Sequence, residues 1–163
     1  MAERNNISEI NNQGQNKQMT VDATDCIAGR MCSQISKLLL KGYRVRVVNA
    51  ENAMISGNRY MIIDSYKKFL TISSATNPVH GPFHPRRPDR ILTRMIRGML
   101  PKRKPSGTSA LKRLKVYVSV PPELKELKTE KIESSKIRRP QSYYSTLGDV
   151  AKQIGWNGMN SYE

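Results

Sequence analysis

Arginine dominates the residues of this chain whose type and spacing could do chemistry. Arg90, Arg94 and Arg97 recur at i, i+4 and i+7, the spacing that stacks side chains into one row on a helix. Like charges in a row repel, which costs helix stability unless an anion lies alongside. Phosphate is the anion that best matches the planar guanidinium fork. Arg86 and Arg87 precede the row, Lys102, Arg103 and Lys104 follow it, and Lys112, Arg113 and Lys115 come shortly after. Between positions 80 and 115 only Asp89 opposes these cations. So lopsided a cluster exceeds an ordinary solvated face and points to nucleic acid.

The remaining candidates are thinner. His80 and His84 are four apart, as metal ligands on a helix would be, but Gly81 and Pro82 between them oppose a helix. Stacking on RNA, hydrogen bonding to it, or plain solvation suits them better. Asp22 and Asp25 form a close acidic pair near a strand end. Asp25 reads as a helix cap, and Asp22 has no partner in sequence that would make it an acid or base. Ala28-Gly29-Arg30 and Ser56-Gly57-Asn58 lack the spacing of a nucleotide-binding loop. Cys26 and Cys32, on a segment that looks helical, are six apart and point in different directions, so they read as reduced structural thiols.

Elements must position the arginine row, and the nearest is the helix that carries it. Over Asp89–Leu100, Ile91, Leu92, Met95, Ile96, Met99 and Leu100 share one half and the row occupies the other. Pro88 and Asp89 mark its start and Pro101 its end. The prolines at 82, 85 and 88 hold an extended arm before it, and Lys102 to Gly107 reads as a second basic arm after it. Upstream, Thr20–Ala23 reads as a strand, and Thr24 or Asp25 as the cap of a helix with Ile27, Met31, Ile35, Leu38 and Leu39 inward and Gly42 closing it. Tyr43–Asn49 is a second strand, which completes a βαβ unit of right-handed crossover. Ser56 then caps a helix over Asn58–Leu70 with Met61, Ile62, Tyr66 and Phe69 inward, and Thr71–Ala75 is a further strand candidate. Leu114–Val120 alternates cleanly as a strand. Pro121 and Pro122 end it, a mixed-charge appendage runs to Arg139, and a short helix capped by Thr146 docks through Leu147, Val150, Ala151 and Ile154.

Composition agrees with a polyanionic partner. The 163 residues carry 28 Lys and Arg against 13 Asp and Glu, a net charge of +15. A hydrophobic fraction of 37% allows one domain with a core. No apolar run approaches the roughly 20 residues of a membrane span, and the first residues lack the order of a secretory signal. No membrane partner and a cytoplasmic location are therefore expected. Residues 1–18 are rich in Asn and Gln, poor in apolar side chains, and expected to be a disordered polar tail. Met19 stands at its end as an alternative initiation site, which the intact mass of the native protein would decide.

Several stretches carry a resemblance: VDATDCIAGR at Val21 to Arg30, VVNAENAMISG at Val47 to Gly57, GPFHPRRPDRIL at Gly81 to Leu92, RGMLPKRKPSG at Arg97 to Gly107 and LKVYVSVP at Leu114 to Pro121. YSTLGDVAKQIGW continues it near the C-terminus. In these the chain resembles large-subunit ribosomal protein thirteen in its archaeal and eukaryotic form, although Ser119 stands where that family would carry glycine. The resemblance implies an α/β fold of three layers, α/β/α, on a mainly parallel sheet of four strands, with the basic arms and the polar tail appended. Taken with the composition of the tail, which is not part of the family core, the resemblance divides the chain into the tail 1–18, an RNA-binding core 19–122 that includes the basic arm 80–107, and a C-terminal surface extension 123–163 with a short helix. It implies a structural constituent of the ribosome, not an enzyme, with large-subunit ribosomal RNA and neighbouring large-subunit proteins as partners and no cofactor, metal or small-molecule substrate.

The residues expected at RNA are His80, His84, Arg86, Arg87, Arg90, Arg94, Arg97, Lys102, Arg103, Lys104, Lys112 and Arg113. Two other classes stay open at the level of the residues. One is an RNA-modifying or nucleotide-using enzyme with a pocket near Asp22, Asn49 or Ser56; the other is an mRNA-binding regulator.

Overall fold

The computed structural model describes residues 17–158, and the expected disordered tail falls almost wholly outside them. Its last residues, however, belong to the fold. Strand β1 spans Gln18–Asp22, and the carbonyl of Lys17 accepts from the Arg44 amide at 2.8 Å. Helix α1 follows at Ala28–Leu40, then strand β2 at Arg44–Val48. β1 and β2 pair in parallel with Val21 opposite Val47, which establishes the βαβ unit.

α1 buries Ala28, Met31, Cys32, Ile35, Ser36 and Leu39, the stripe its periodicity predicts. Gly42 ends it at φ 97°, a left-handed conformation that lets its amide and that of Tyr43 reach back to the carbonyls of Leu39 and Leu38. The start differs from expectation. Neither Thr24 nor Asp25 caps α1; the cap position is Ile27, and Cys26 lies in the loop before the helix, bridging to Lys136. Thr24 is occupied elsewhere, because both its amide and its hydroxyl donate to Asp22.

Strand β3, Met54–Ser56, carries no alternation that marks it in the sequence, and Ser56 ends it rather than capping a helix. The cap of helix α2, Arg59–Thr71, is Asn58, whose side chain accepts from the Tyr60 amide at 2.9 Å. α2 buries no residue completely. Tyr66 and Leu70 lean on the core, whereas Met61, expected inward, is exposed. Of the strand expected at Thr71–Ala75, Thr71 belongs to α2 and residues 72–75 form no strand.

Helix α3 covers Pro88–Met99, with Pro88 buried at its first turn. Ile91, Leu92 and Ile96 are buried, as is Leu100 just beyond, while Met95 is half-buried and Met99 is exposed. Part of the expected second arm is helical too: α4 spans Pro105–Lys112 and starts with proline in the position where its missing N–H costs nothing. Gly107 is what brings α4 against the turn before it, since a Cβ there would overlap the carbonyl of Pro101.

Strand β4 is short, Leu114–Val116, and pairs in parallel with β2, Val47 opposite Val116. The chain then returns across the sheet to β5, Thr129–Glu130, which pairs in parallel with the other edge of β1. The sheet order is β4-β2-β1-β5. β5 corrects the reading of 123–139 as a surface appendage, because two of its residues complete the four-stranded sheet. Strand β6, Tyr144–Thr146, pairs antiparallel with β3, and helix α5, Leu147–Gln153, follows. Thr146 caps α5 as expected, its hydroxyl accepting from the Asp149 amide at 3.1 Å.

One cluster unites these elements. Val21, Val45 and Val47 meet Met31, Ile35 and Leu39 of α1, Leu92 and Ile96 of α3, and Leu147, Ala151 and Ile154. Cys26 and Cys32 are both buried within it, and burial pushes the Cys32 thiol up to about 12. Val48, out of phase with Val45 and Val47, is buried outside this cluster, as are Val118 and Leu124 of the return segment. Among the described residues no helix is long and apolar enough to cross a membrane.

Candidate nucleic-acid interface

α3 positions the arginine row because Ile91, Leu92 and Ile96 on its other face are committed to the core. With Ile91, Leu92 and Ile96 inward, residues 90 and 97 must face solvent, and both are exposed. Arg90 and Arg97 make no hydrogen bond or ion pair to another described side chain, so their charge is available to a ligand. Lys102, Arg103 and Lys104 extend the same charge around the turn that follows, all three exposed. Lys112 at the end of α4 and Lys115 on β4 are exposed as well.

The third member of the row behaves differently. Arg94 is half-buried; its Nη1 donates to the carbonyl of Phe83 at 3.0 Å, and its guanidinium stacks over the Phe69 ring, 4.5 Å from the centroid. It ties the arm before α3 to α2. His84 does the same from the other side: its Nε2 lies 2.8 Å from the carbonyl of Ile72, and its ring meets Phe69 edge-on at 4.3 Å. Two residues expected at RNA therefore anchor the arm that presents the others. Phe83, between the two anchors, is exposed, and His80 is exposed in a short helical turn at Pro78–His80.

Three further cations of the expected site are engaged. Arg87 pairs with Asp89 through two contacts of 3.2 Å, which neutralises the one acid in the stretch. The Arg86 guanidinium lies close against Gly155, beside the C-terminal end of α5, where a cation is favoured. Arg113 is half-buried and donates from Nη2 to the carbonyl of Leu39 at 2.8 Å, at the C-terminal end of α1. Arg87 and Arg86 remain exposed enough to meet a ligand, whereas Arg113 is a helix-end contact first.

The acidic site weighed as a catalytic centre is structural. Oδ1 of Asp22 accepts from the Thr24 amide at 3.0 Å, the Thr24 hydroxyl at 2.8 Å and the Asn49 amide group at 2.9 Å, and Lys131 lies 3.9 Å from Oδ2. Partial burial pushes this carboxyl up, but those hydrogen bonds and the Lys131 charge outweigh it and hold it below its ordinary value. Asp22 thereby ties the end of β1 to Asn49, which follows β2 and adopts φ 56°. An ionised carboxylate saturated with donors is a poor proton acceptor. The groove between α2 and α3, about 330 Å³, is lined mainly by apolar groups such as Tyr66, Phe69 and Met95.

Sequence reasoning missed the cations outside 80–115 that the fold gathers. Arg30, Arg138 and Arg139 border one cleft although more than 100 residues of chain separate the first from the others. The adjacent Arg138-Arg139 pair was the available signal, and the mixed charge around it masked it.

Known proteins match this chain over most of its length. The family model described as ribosomal protein L13 matches residues 16–123. The large ribosomal subunit protein uL13 of Aeropyrum pernix is 42% identical over 146 residues, which cover 89% of this chain and 94% of that protein. That of Saccharolobus solfataricus is 39% identical over 150 residues, 91% of this chain and all of the relative. That of Methanosarcina barkeri is 43% identical over 137 residues, 83% and 96% of the two chains. A match of this extent, on the fold expected from the resemblance, places the chain in the ribosomal protein L13 family, a family of structural ribosomal proteins and not of enzymes.

Proposed function

We propose that this chain binds large-subunit ribosomal RNA through phosphate contacts made by α3 and its flanking arms, and that this contact supports assembly of the large subunit in the cytoplasm. The observation that carries the reading is the exposed, unpaired charge of Arg90 and Arg97 on a helix anchored in the core by Ile91, Leu92 and Ile96, continued by Lys102, Arg103 and Lys104 on the turn after it. Phosphate relieves the mutual repulsion of such a face, and the surrounding arm is already held by Arg94 and His84. Arg86, Arg87 and Lys112 add positive potential at the edges, and His80 is free to hydrogen-bond or stack. Neighbouring large-subunit proteins are the expected protein partners.

Phosphate neutralisation makes binding steeply salt-dependent. Each phosphate that a variant leaves without its cation takes about 0.7 to 0.9 from the slope of log affinity against log salt. Arg90→Gln with Arg97→Gln should therefore lower the slope for deproteinised large-subunit RNA by about 1.4 to 1.8. A slope equal to that of the unaltered protein refutes the assignment of this face. In cell extracts the protein should sediment with large subunits and leave them only at high salt.

A further inference from the structure

The cleft that holds Arg30, Arg138 and Arg139 lies on other elements than α3 and shares no residue with the stretch 80–115. It has a volume of about 840 Å³, and Tyr143, Tyr144 and Ser56 complete the part of its lining that can recognise a ligand. Among the described residues no acidic side chain lines it. All three arginines are exposed, and Arg30 and Arg138 pair with no described carboxylate. Tyr143 is 57% exposed, and the Arg139 guanidinium sits 5.8 Å from its ring centroid.

The walls are held by backbone hydrogen bonds, so the arrangement exists before any ligand arrives. The Ile27 amide donates to the Ser135 carbonyl at 2.7 Å, and the Ile137 amide to the Asp25 carbonyl at 3.1 Å. Those two bonds fix Arg138 and Arg139 opposite the first turn of α1, which carries Arg30. On the remaining side the Gly57 amide donates to the Tyr143 carbonyl at 3.2 Å, and Ser56 pairs with Tyr144 across β3 and β6. Cations that converge from two distant segments, beside an exposed aromatic ring, match an unpaired nucleotide: phosphate to the arginines, base to the tyrosine face.

We propose that this cleft is a second RNA site, which takes an unpaired nucleotide of the large-subunit RNA and makes the protein a two-sided clamp between separate RNA segments. The proposal rests on the ribosomal RNA partner proposed above but not on the role of α3. An acidic peptide would satisfy the arginines but has no use for the exposed ring, which is why RNA is favoured.

The test uses the full chain and deproteinised large-subunit RNA, with binding measured across a salt series. Arg30→Gln, Arg138→Gln and Arg139→Gln combined should lower the salt slope by about 2 to 3. Tyr143→Leu should weaken binding by about fivefold to a hundredfold, whereas Tyr143→Phe, which keeps the ring, should not. Unfolding temperatures of these surface variants, measured alongside, should match that of the unaltered protein. The α3 variant Arg90→Gln/Arg97→Gln runs in parallel. If its slope falls and that of the cleft variant does not, the cleft proposal is overturned while the α3 reading stands. A fall with the cleft variant alone supports the cleft and removes α3. No change in either removes both readings.

Discussion

Arg94 should matter to the stability of the free protein and its row-mates should not. Arg94→Gln removes a charged donor to the Phe83 carbonyl at 3.0 Å and a cation stacked on Phe69 at 4.5 Å. A hydrogen bond from a charged group contributes about 1.5 to 3 kcal/mol when well shielded, and a cation over an exposed ring about 0.5 to 1. Arg94 is only half-buried, so solvent screening brings the sum to about 2 kcal/mol. For a chain of this size about 2 to 4 °C of unfolding temperature accompanies each kcal/mol, so the loss is about 4 to 8 °C. Arg90→Gln/Arg97→Gln, in contrast, relieves like-charge repulsion of about 0.2 to 0.5 kcal/mol per pair and leaves thermal stability level or slightly raised. Circular dichroism melts of the two variants beside salt-dependent RNA binding separate the roles. An unchanged melt for Arg94→Gln would refute the assignment of Arg94 as the anchor of the arm.

Gly107→Ala pits helix propensity, which favours alanine by about 1 kcal/mol, against overlap with the Pro101 carbonyl, which costs about 1 to 3 or more. A lowered unfolding temperature is expected, and a raised one would show that the turn yields freely. The carboxyl of Asp22 is held below its ordinary value of 3.8 in the folded protein, so its contribution to stability is present above that pH and fades as pH falls through the lowered folded value. Asp22→Asn should therefore be less stable at neutral pH and flatter in an acid titration of unfolding, and parallel acid limbs would argue against it. Cys32, with its thiol pushed up to about 12 and its side chain buried, should resist iodoacetamide at pH values near 8 until denaturant opens the core, as mass spectrometry of the alkylated peptides would show.

Much of the scaffold was legible because its signals are local. The stripe Met31, Ile35, Leu39 and the left-handed Gly42 specify α1 within its own turn spacing, and Pro88 with Ile91, Leu92 and Ile96 does the same for α3. Thr146 and Asp149 specify the start of α5 in the same way. Thr129–Glu130 was illegible, since a two-residue strand is defined by the bonds its neighbour offers and not by its own side chains. α4 was hidden by the prolines, glycine and cations that read as an arm, although Pro105 is well suited to a helix start. At the interface the charge was legible and its division was not. Which arginine faces outward depends on Phe69 and Phe83, residues that the fold alone brings to Arg94.

The placement of β5 bears on how the molecule is made. During synthesis β1, β2 and β4 leave the ribosome in that order and extend the sheet steadily towards one side. The opposite flank of β1 keeps its amides and carbonyls uncovered until Thr129 and Glu130 arrive. A nascent chain halted before that point would display the central strand as an open template for another copy, a risk that grows with concentration. The segment that carries β5 thus acts on the newborn protein as a closing stitch.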